Sequence, residues 1–213
     1  MNELNLIQKI CVYAIPVLFA ITLHEAAHAY AAMRLGDRTA HQLGRLSLNP
    51  IRHVDPVGTV LLPLICLALG NFLFGWAKPV PVDFRNLRHP LRDMVWVAAA
   101  GPAANLIMAI GWILLFKLAV SNPGNYFAAP LAYMAEAGVS INVSLLVLNL
   151  LPIPPLDGGR IAVGLLPRSL STPLAALEPY GMFILIGLMV TGLLTYIMQP
   201  LFAITLGFLS LII

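Results

Sequence analysis

Residues 10–33 read ICVYAIPVLFAITLHEAAHAYAAM. The stretch carries no charge up to Leu23, and its apolar character then continues to Met33 except at His24, Glu25 and His28. About 20 mostly apolar residues make one bilayer-spanning helix, so this stretch is expected to cross a membrane. At that depth an ionisable side chain costs about 2.5–3.5 kcal/mol on insertion scales. A helix that keeps a glutamate between two histidines there needs a chemical reason. The spacing supplies one. Positions i and i+4 are neighbours on a helix face, so His24 and His28 can reach one metal ion. Glu25 sits to the side, placed for a water at the metal rather than for the metal itself. His24-Glu25-Ala26-Ala27-His28 is the HExxH arrangement of zinc peptidases. The small residues Ala26, Ala27, Ala29, Ala31 and Ala32 would let a partner helix approach closely.

Composition places the rest of the chain around this helix. Of 213 residues, 60% are hydrophobic and 10% charged, against ~45–50% and ~25% in soluble domains. Too little polar surface remains to cover a water-soluble globule, and disorder is excluded by the same numbers. Two cysteines, Cys11 and Cys66, make no disulfide scaffold. A net charge of +3 from dispersed basic residues argues against nucleic acid as a partner. Glu3 beside Lys9 makes a poor signal-peptide start, so the first segment is expected to stay in place.

Further apolar runs cover 56–77, 94–116, 137–156 and 179–213. The last would be roughly 50 Å as one helix, and Gln199-Pro200 is the expected break. The fold class is therefore an all-α polytopic membrane protein. It is a helical bundle with about 4–6 membrane segments and short extended elements near 40–90. Arg34, Arg38, Arg45 and Arg52 precede the 56–77 run, and Lys78, Arg85, Arg88 and Arg92 follow it. Positive-inside bias puts both groups on the cytoplasmic side, which fits if 56–77 enters and returns rather than crossing. One integral-membrane domain, 1–213, is expected, with a core at about 10–165 and C-terminal membrane segments at about 179–213.

Catalytic zinc takes three protein ligands and keeps one position for water. His41, His53 and His89 lie in basic, turn-rich stretches that suit interfacial surface residues. Asp157 is the better third ligand. It ends the stretch NLLPIPPLDGG, residues 149–159, whose prolines and glycines break the helix. Broken backbone at membrane depth is tolerated only against protein or water-filled space, so this stretch is expected to line a cavity. A competing reading makes Asp157 the cap of a short helix at 158–166. Beside an HExxH lacking its third ligand, the ligand reading prevails. Asn149 is a second polar residue at the edge of the run. Lys78-Pro79-Val80-Pro81-Val82 is expected to be extended, serving as an edge strand for an unwound peptide or as a stiff connector.

These motifs resemble the site-2 proteases, which are intramembrane zinc metalloproteases, in their compact bacterial and archaeal branch. The resemblance rests on His24 to His28, on Asn149, Pro152, Leu156, Asp157 and Gly158 as an Asn-x-x-Pro…Leu-Asp-Gly element, and on Gly101, Pro102 and Asn105 between them. It extends to the stretches 49–58 and 76–82. It implies that His24, His28 and Asp157 bind one zinc per chain and that Glu25 is the catalytic base. Asn149 would position substrate or stabilise the oxyanion. The implied substrate is a membrane protein with a transmembrane segment, cut in or near that segment. The implied setting is the bilayer of a plasma membrane, with the active site towards the cytoplasmic side. A homodimer is compatible with so small a bundle. Asn105 is expected to make an interhelical hydrogen bond. Unlike larger relatives, the sequence shows no helix before the HExxH helix and no PDZ or CBS domain, which leaves regulation and substrate choice open. A membrane metal transporter or carrier using the same His and Asp cluster is the alternative; a transit site has no use for a non-ligating Glu25.

Overall fold

The computed structural model describes residues 4–61 and 78–211. Helix α1 (Leu6–Leu35) opens on a capping box: Asn5 accepts from the Gln8 N–H and Gln8 accepts from the Asn5 N–H, each at 2.9 Å. It ends at Gly36, whose φ of 122° no other residue adopts cheaply. A short α2 (Thr39–Gln42) follows. Then come α3 (Pro90–Val120), α4 (Ala128–Asn149), α5 (Asp157–Leu165), α6 (Arg168–Ala175), α7 (Gly181–Val190) and α8 (Leu193–Ser210). No strand occurs among the described residues, so the extended elements expected near 40–90 exist there only as non-helical chain.

Five stretches are long and apolar enough to span a bilayer: Ile7–Leu35, Pro90–Val120, Ala128–Asn149, Arg168–Val190 and Leu193–Ser210. Large apolar side chains face outward along them, among them Ile107, Phe183 and Phe208. In water such a surface would aggregate; in lipid it is the correct solvent. The chain is an integral membrane protein built as a helical bundle.

The arrangement that positions the site is the antiparallel pairing of α1 with α3. The Arg88 N–H donates to the Leu35 carbonyl at 3.0 Å, which seats the start of α3 beside the end of α1. Ala32 is fully buried in α1 and packs against Val97 of α3, which lets the helices close up, while Ala29 packs against Ala40 and Val80. Helix α4 then packs along α3 through Ala109, Ile113, Val143 and Val147, with Leu209 of α8 closing that core. The chain thus leaves α1 at Gly36 and enters α3 at Pro90 at the same end of the bundle. The expectation that 56–77 re-enters falls on residues 62–77, which lie outside the described residues; Pro56–Leu61 is a π-helical turn.

One clasp organises that end. Asp37 is buried, and its carboxylate accepts from the Thr39 N–H (3.0 Å), the Thr39 hydroxyl (2.5 Å), the Asp83 N–H (2.9 Å) and the Asn86 side-chain amide (3.2 Å). It ties the chain at 83–86 to the end of α1.

The break expected at Gln199-Pro200 lies elsewhere. Helix α7 ends at Val190 with Thr191 as its cap, Gly192 takes the left-handed φ of 74°, and α8 runs unbroken through Pro200. A left-handed glycine ends the hydrogen-bond ladder outright. A proline removes one rung, which membrane helices tolerate.

Candidate metal centre

His24 and His28 project from the same face of α1, one turn apart, with ring centroids 4.6 Å apart. Asp157 is the first residue of α5. The Asp-Gly-Gly start of α5 lets the preceding turn fold tightly over it. A Cβ at residue 158 would strike the carbonyls of Leu150 and Leu151, and one at residue 159 would lie 2.6 Å from the Ile153 carbonyl carbon. Asp157 is thereby swung under α1. His24 Nε2 and His28 Nε2 each lie 3.3 Å from Asp157 Oδ2, and 3.0 Å from one another.

These distances fit a metal better than a hydrogen-bonded triad. A tetrahedral zinc site with arms of ~2.0–2.1 Å has ligand–ligand edges of roughly 3.3 Å. The other ring nitrogens decide the rest. His28 Nδ1 lies 2.7 Å from the Val97 carbonyl oxygen, which can only accept, so Nδ1 carries the proton. His24 Nδ1 lies 2.6 Å from Asn105 Oδ1. The orientation of Asn105 is fixed from further away. Asn142 donates to the Gly138 carbonyl (2.8 Å), so its oxygen faces Asn105. Asn105 donates to that oxygen (2.9 Å) and towards the Ala20 carbonyl (3.4 Å), so its own oxygen faces His24. Both asparagines are fully buried. In neutral rings both Nε2 atoms are then bare lone pairs, aimed at each other and at a carboxylate oxygen. Asp157 Oδ2 is buried and has no hydrogen-bond partner. Three converging acceptors without a proton among them call for a cation. Imidazole, imidazole and carboxylate suit zinc.

Gly101 of α3 lies across from the pair. A Cβ there would collide with His28 Nε2 and come 2.6 Å from His24 Cε1. The glycine is a space requirement of the site.

Glu25 is half-buried and lies outside the three-residue donor group. Its Oε2 accepts the Val80 N–H at 2.7 Å, so the chain at 78–82 reaches the flank of the site. Asn149 stands in the last turn of α4 and donates to the Leu145 carbonyl at 3.0 Å; among the described residues no hydrogen bond joins it to the cluster. His41 and His89 are exposed, as expected of interfacial residues. His53 is not: it is fully buried, donating from Nε2 to the Ser47 carbonyl at 2.8 Å. Its basic neighbours suggested surface, but its ring is what the turn at 47–53 folds around. Asn105 makes the interhelical bond expected of it. Asn142, which orients Asn105, has only one signal in the sequence, that of an asparagine inside an apolar span.

Residues 117–191 match the model of peptidase family M50. The chain is 40% identical over 189 residues to "Putative zinc metalloprotease YwhC" of Bacillus subtilis, covering 87% of this chain and 83% of that protein. It is 34% identical over 176 residues to "Putative zinc metalloprotease Rip2" of Mycolicibacterium smegmatis, covering 82% of this chain and 64% of that one. No solved structure gives a significant match.

Proposed function

This chain belongs to peptidase family M50 and is a zinc metalloprotease, and on that premise we propose that it hydrolyses peptide bonds in or near transmembrane segments of membrane proteins. The observation that carries the reading is the convergence of His24, His28 and Asp157 at 3.0–3.3 Å inside a bundle of apolar helices, with Glu25 beside them. All four residues fall within 10–165, which we take as the catalytic core.

His24, His28 and Asp157 would hold the zinc. When bound, zinc supplies Lewis acidity, easing deprotonation of water and polarising a peptide carbonyl. The remaining chemistry belongs to the chain. Glu25 is the general base: the Val80 N–H engages Oε2, leaving Oε1 to accept the proton of the attacking water. The same carboxyl then hands that proton to the departing amine nitrogen. Asn105 and the Val97 carbonyl hold the two imidazoles in the tautomer that leaves both Nε2 atoms free. Asn149 keeps one amide N–H beyond its bond to Leu145, and we assign that N–H to the substrate carbonyl or the oxyanion. A transmembrane helix hides its carbonyls in its own hydrogen bonds, so the substrate must unwind locally, which favours segments with helix-breaking residues. The basic flanks of 56–77 support a plasma-membrane orientation with the active site towards the cytoplasm.

The test is Glu25→Gln against wild type, reconstituted in vesicles with a panel of single-span substrates. Retained zinc with cleavage reduced by a factor of a thousand or more supports the reading. A variant that still cleaves removes Glu25 as the base. Zinc flux across the vesicle by wild type without cleavage favours a transporter.

A further inference from the structure

Where α1 leaves the bundle, a cleft of about 460 Å³ is lined by Met33, Arg34, Arg38, His41 and Arg88. Its volume falls in the range of small-ligand pockets, ~300–1,000 Å³. Three arginines and a histidine line it, and no acidic residue does. None of the ion pairs among the described residues involves Arg34, Arg38 or Arg88. The nearest acid in sequence, Asp37, is committed elsewhere, to Thr39, Asp83 and Asn86.

The cleft is partly preorganised. The Arg34 guanidinium is held over the Tyr30 ring at 5.0 Å and donates from Nε to the Tyr30 hydroxyl at 2.9 Å. Arg88 is rooted against the helix end by its backbone bond to Leu35. Arg38 stands exposed between them in sequence and makes no side-chain hydrogen bond among the described residues. Concentrating like charge without a partner is unfavourable unless an anion completes it. Planar guanidinium forks match phosphate oxygens, and Met33 adds an apolar wall.

We propose that this cleft binds a phosphate ester, supplied as the headgroup of an anionic phospholipid or as a free phosphate compound. It lies at the end of a membrane-spanning helix and in a segment rich in arginine, where basic pockets meet lipid headgroups. Its occupant would join Arg34 and Arg38, on the α1 side, to Arg88, on the chain that continues from Val80. It would therefore brace the segment whose Val80 N–H contacts Glu25.

The test uses the full chain in detergent and native mass spectrometry. Four probes are compared: phosphatidylglycerol, phosphatidylcholine, glycerophosphoglycerol and inorganic phosphate. The proteins are wild type, the double variant Arg38→Gln/Arg88→Gln, and Arg85→Gln/Arg168→Gln as a control of equal charge change outside the cleft. Zinc content reports an intact fold in each. Each charge-assisted hydrogen bond contributes about tenfold, so the cleft variant is expected to lose about a hundredfold in affinity for phosphatidylglycerol while the control keeps it. Binding of the lipid but not of the two soluble probes identifies a headgroup site; equal binding of a soluble probe identifies a site for free phosphate compounds. Failure of wild type to retain any of the four probes overturns the proposal. So does an equal loss in the control, or unchanged affinity in the cleft variant.

Discussion

His24 Nδ1 and Asn105 Oδ1 lie 2.6 Å apart across the α1–α3 interface, and both residues are buried. That bond makes Nδ1 the protonated nitrogen of His24 and turns Nε2 towards His28 and Asp157. Partners that orient a metal-binding histidine are typically worth 10–100-fold in metal affinity. Asn105→Leu is therefore expected to weaken zinc binding by that order. Asn105→Asp keeps an acceptor opposite Nδ1 but loses the donors to Asn142 and Ala20, so it should bind between the leucine variant and wild type. Competition against a chromophoric chelator measures both. Equal affinity in the leucine variant would remove Asn105 from the site.

Gly101 and Gly111 lie ten residues apart on α3 and should respond oppositely to alanine. At 101 the new methyl meets both imidazoles; at 111 nothing lies within 4 Å. Gly101→Ala should lose zinc at least tenfold, with helix content unchanged. Gly111→Ala should keep full zinc and gain up to about 1 kcal/mol in helix stability. Zinc stoichiometry and circular dichroism on the purified pair decide.

Stripping the metal should destabilise the fold as well as remove activity. Without a cation, three acceptor atoms face one another at 3.0–3.3 Å. A ligand that binds only the folded state adds about 2.7 kcal/mol at a hundredfold excess over its Kd. Thermal unfolding in detergent should shift down on chelation and return with added zinc. Asp157→Ala should show little of the zinc-dependent part. A chelator-insensitive melting curve would count against the centre.

The Asp37 clasp predicts an acid limit. Burial alone would raise its pKa, but the Thr39, Asp83 and Asn86 donors outweigh burial and hold the carboxyl below its ordinary value of 3.8. A group whose pKa is depressed by folding stabilises the fold above its unfolded pKa. That contribution is lost as pH falls through the folded value. Protease nicking of residues 78–89 should therefore be slow at pH 6 and accelerate below pH 4. Asp37→Asn, which turns an amide towards these donors, should be nicked readily at both. Equal protection of the variant at pH 6 would show that the clasp does not hold the segment.

Much of this was legible in the sequence because membrane burial makes polar residues conspicuous. Charge-free runs marked the spans, and an HExxH inside one marked two candidate ligands and a candidate base at helical spacing. The prolines and glycines around Asp157 marked a break in the helix, and its carboxylate was the remaining donor of the right kind. Other features had no local signature. That Asp157 lies 3.3 Å from both histidines depends on α3 and α4 returning the chain to the end of α1, a relation between residues 129 or more positions apart. The tautomers of His24 and His28 are set by Asn105, Asn142 and the Val97 carbonyl, and a hydrogen bond's direction exists only once its partners are placed. Gly101 is needed because two rings occupy the space opposite it. The burial of His53 and the end of α7 at Gly192 rather than at Pro200 belong to the same class. The sequence by itself determined which residues were too polar for their surroundings. Tertiary structure decided which of them meet and which of their atoms converge, because lone pairs and protons are arranged by neighbours that packing supplies.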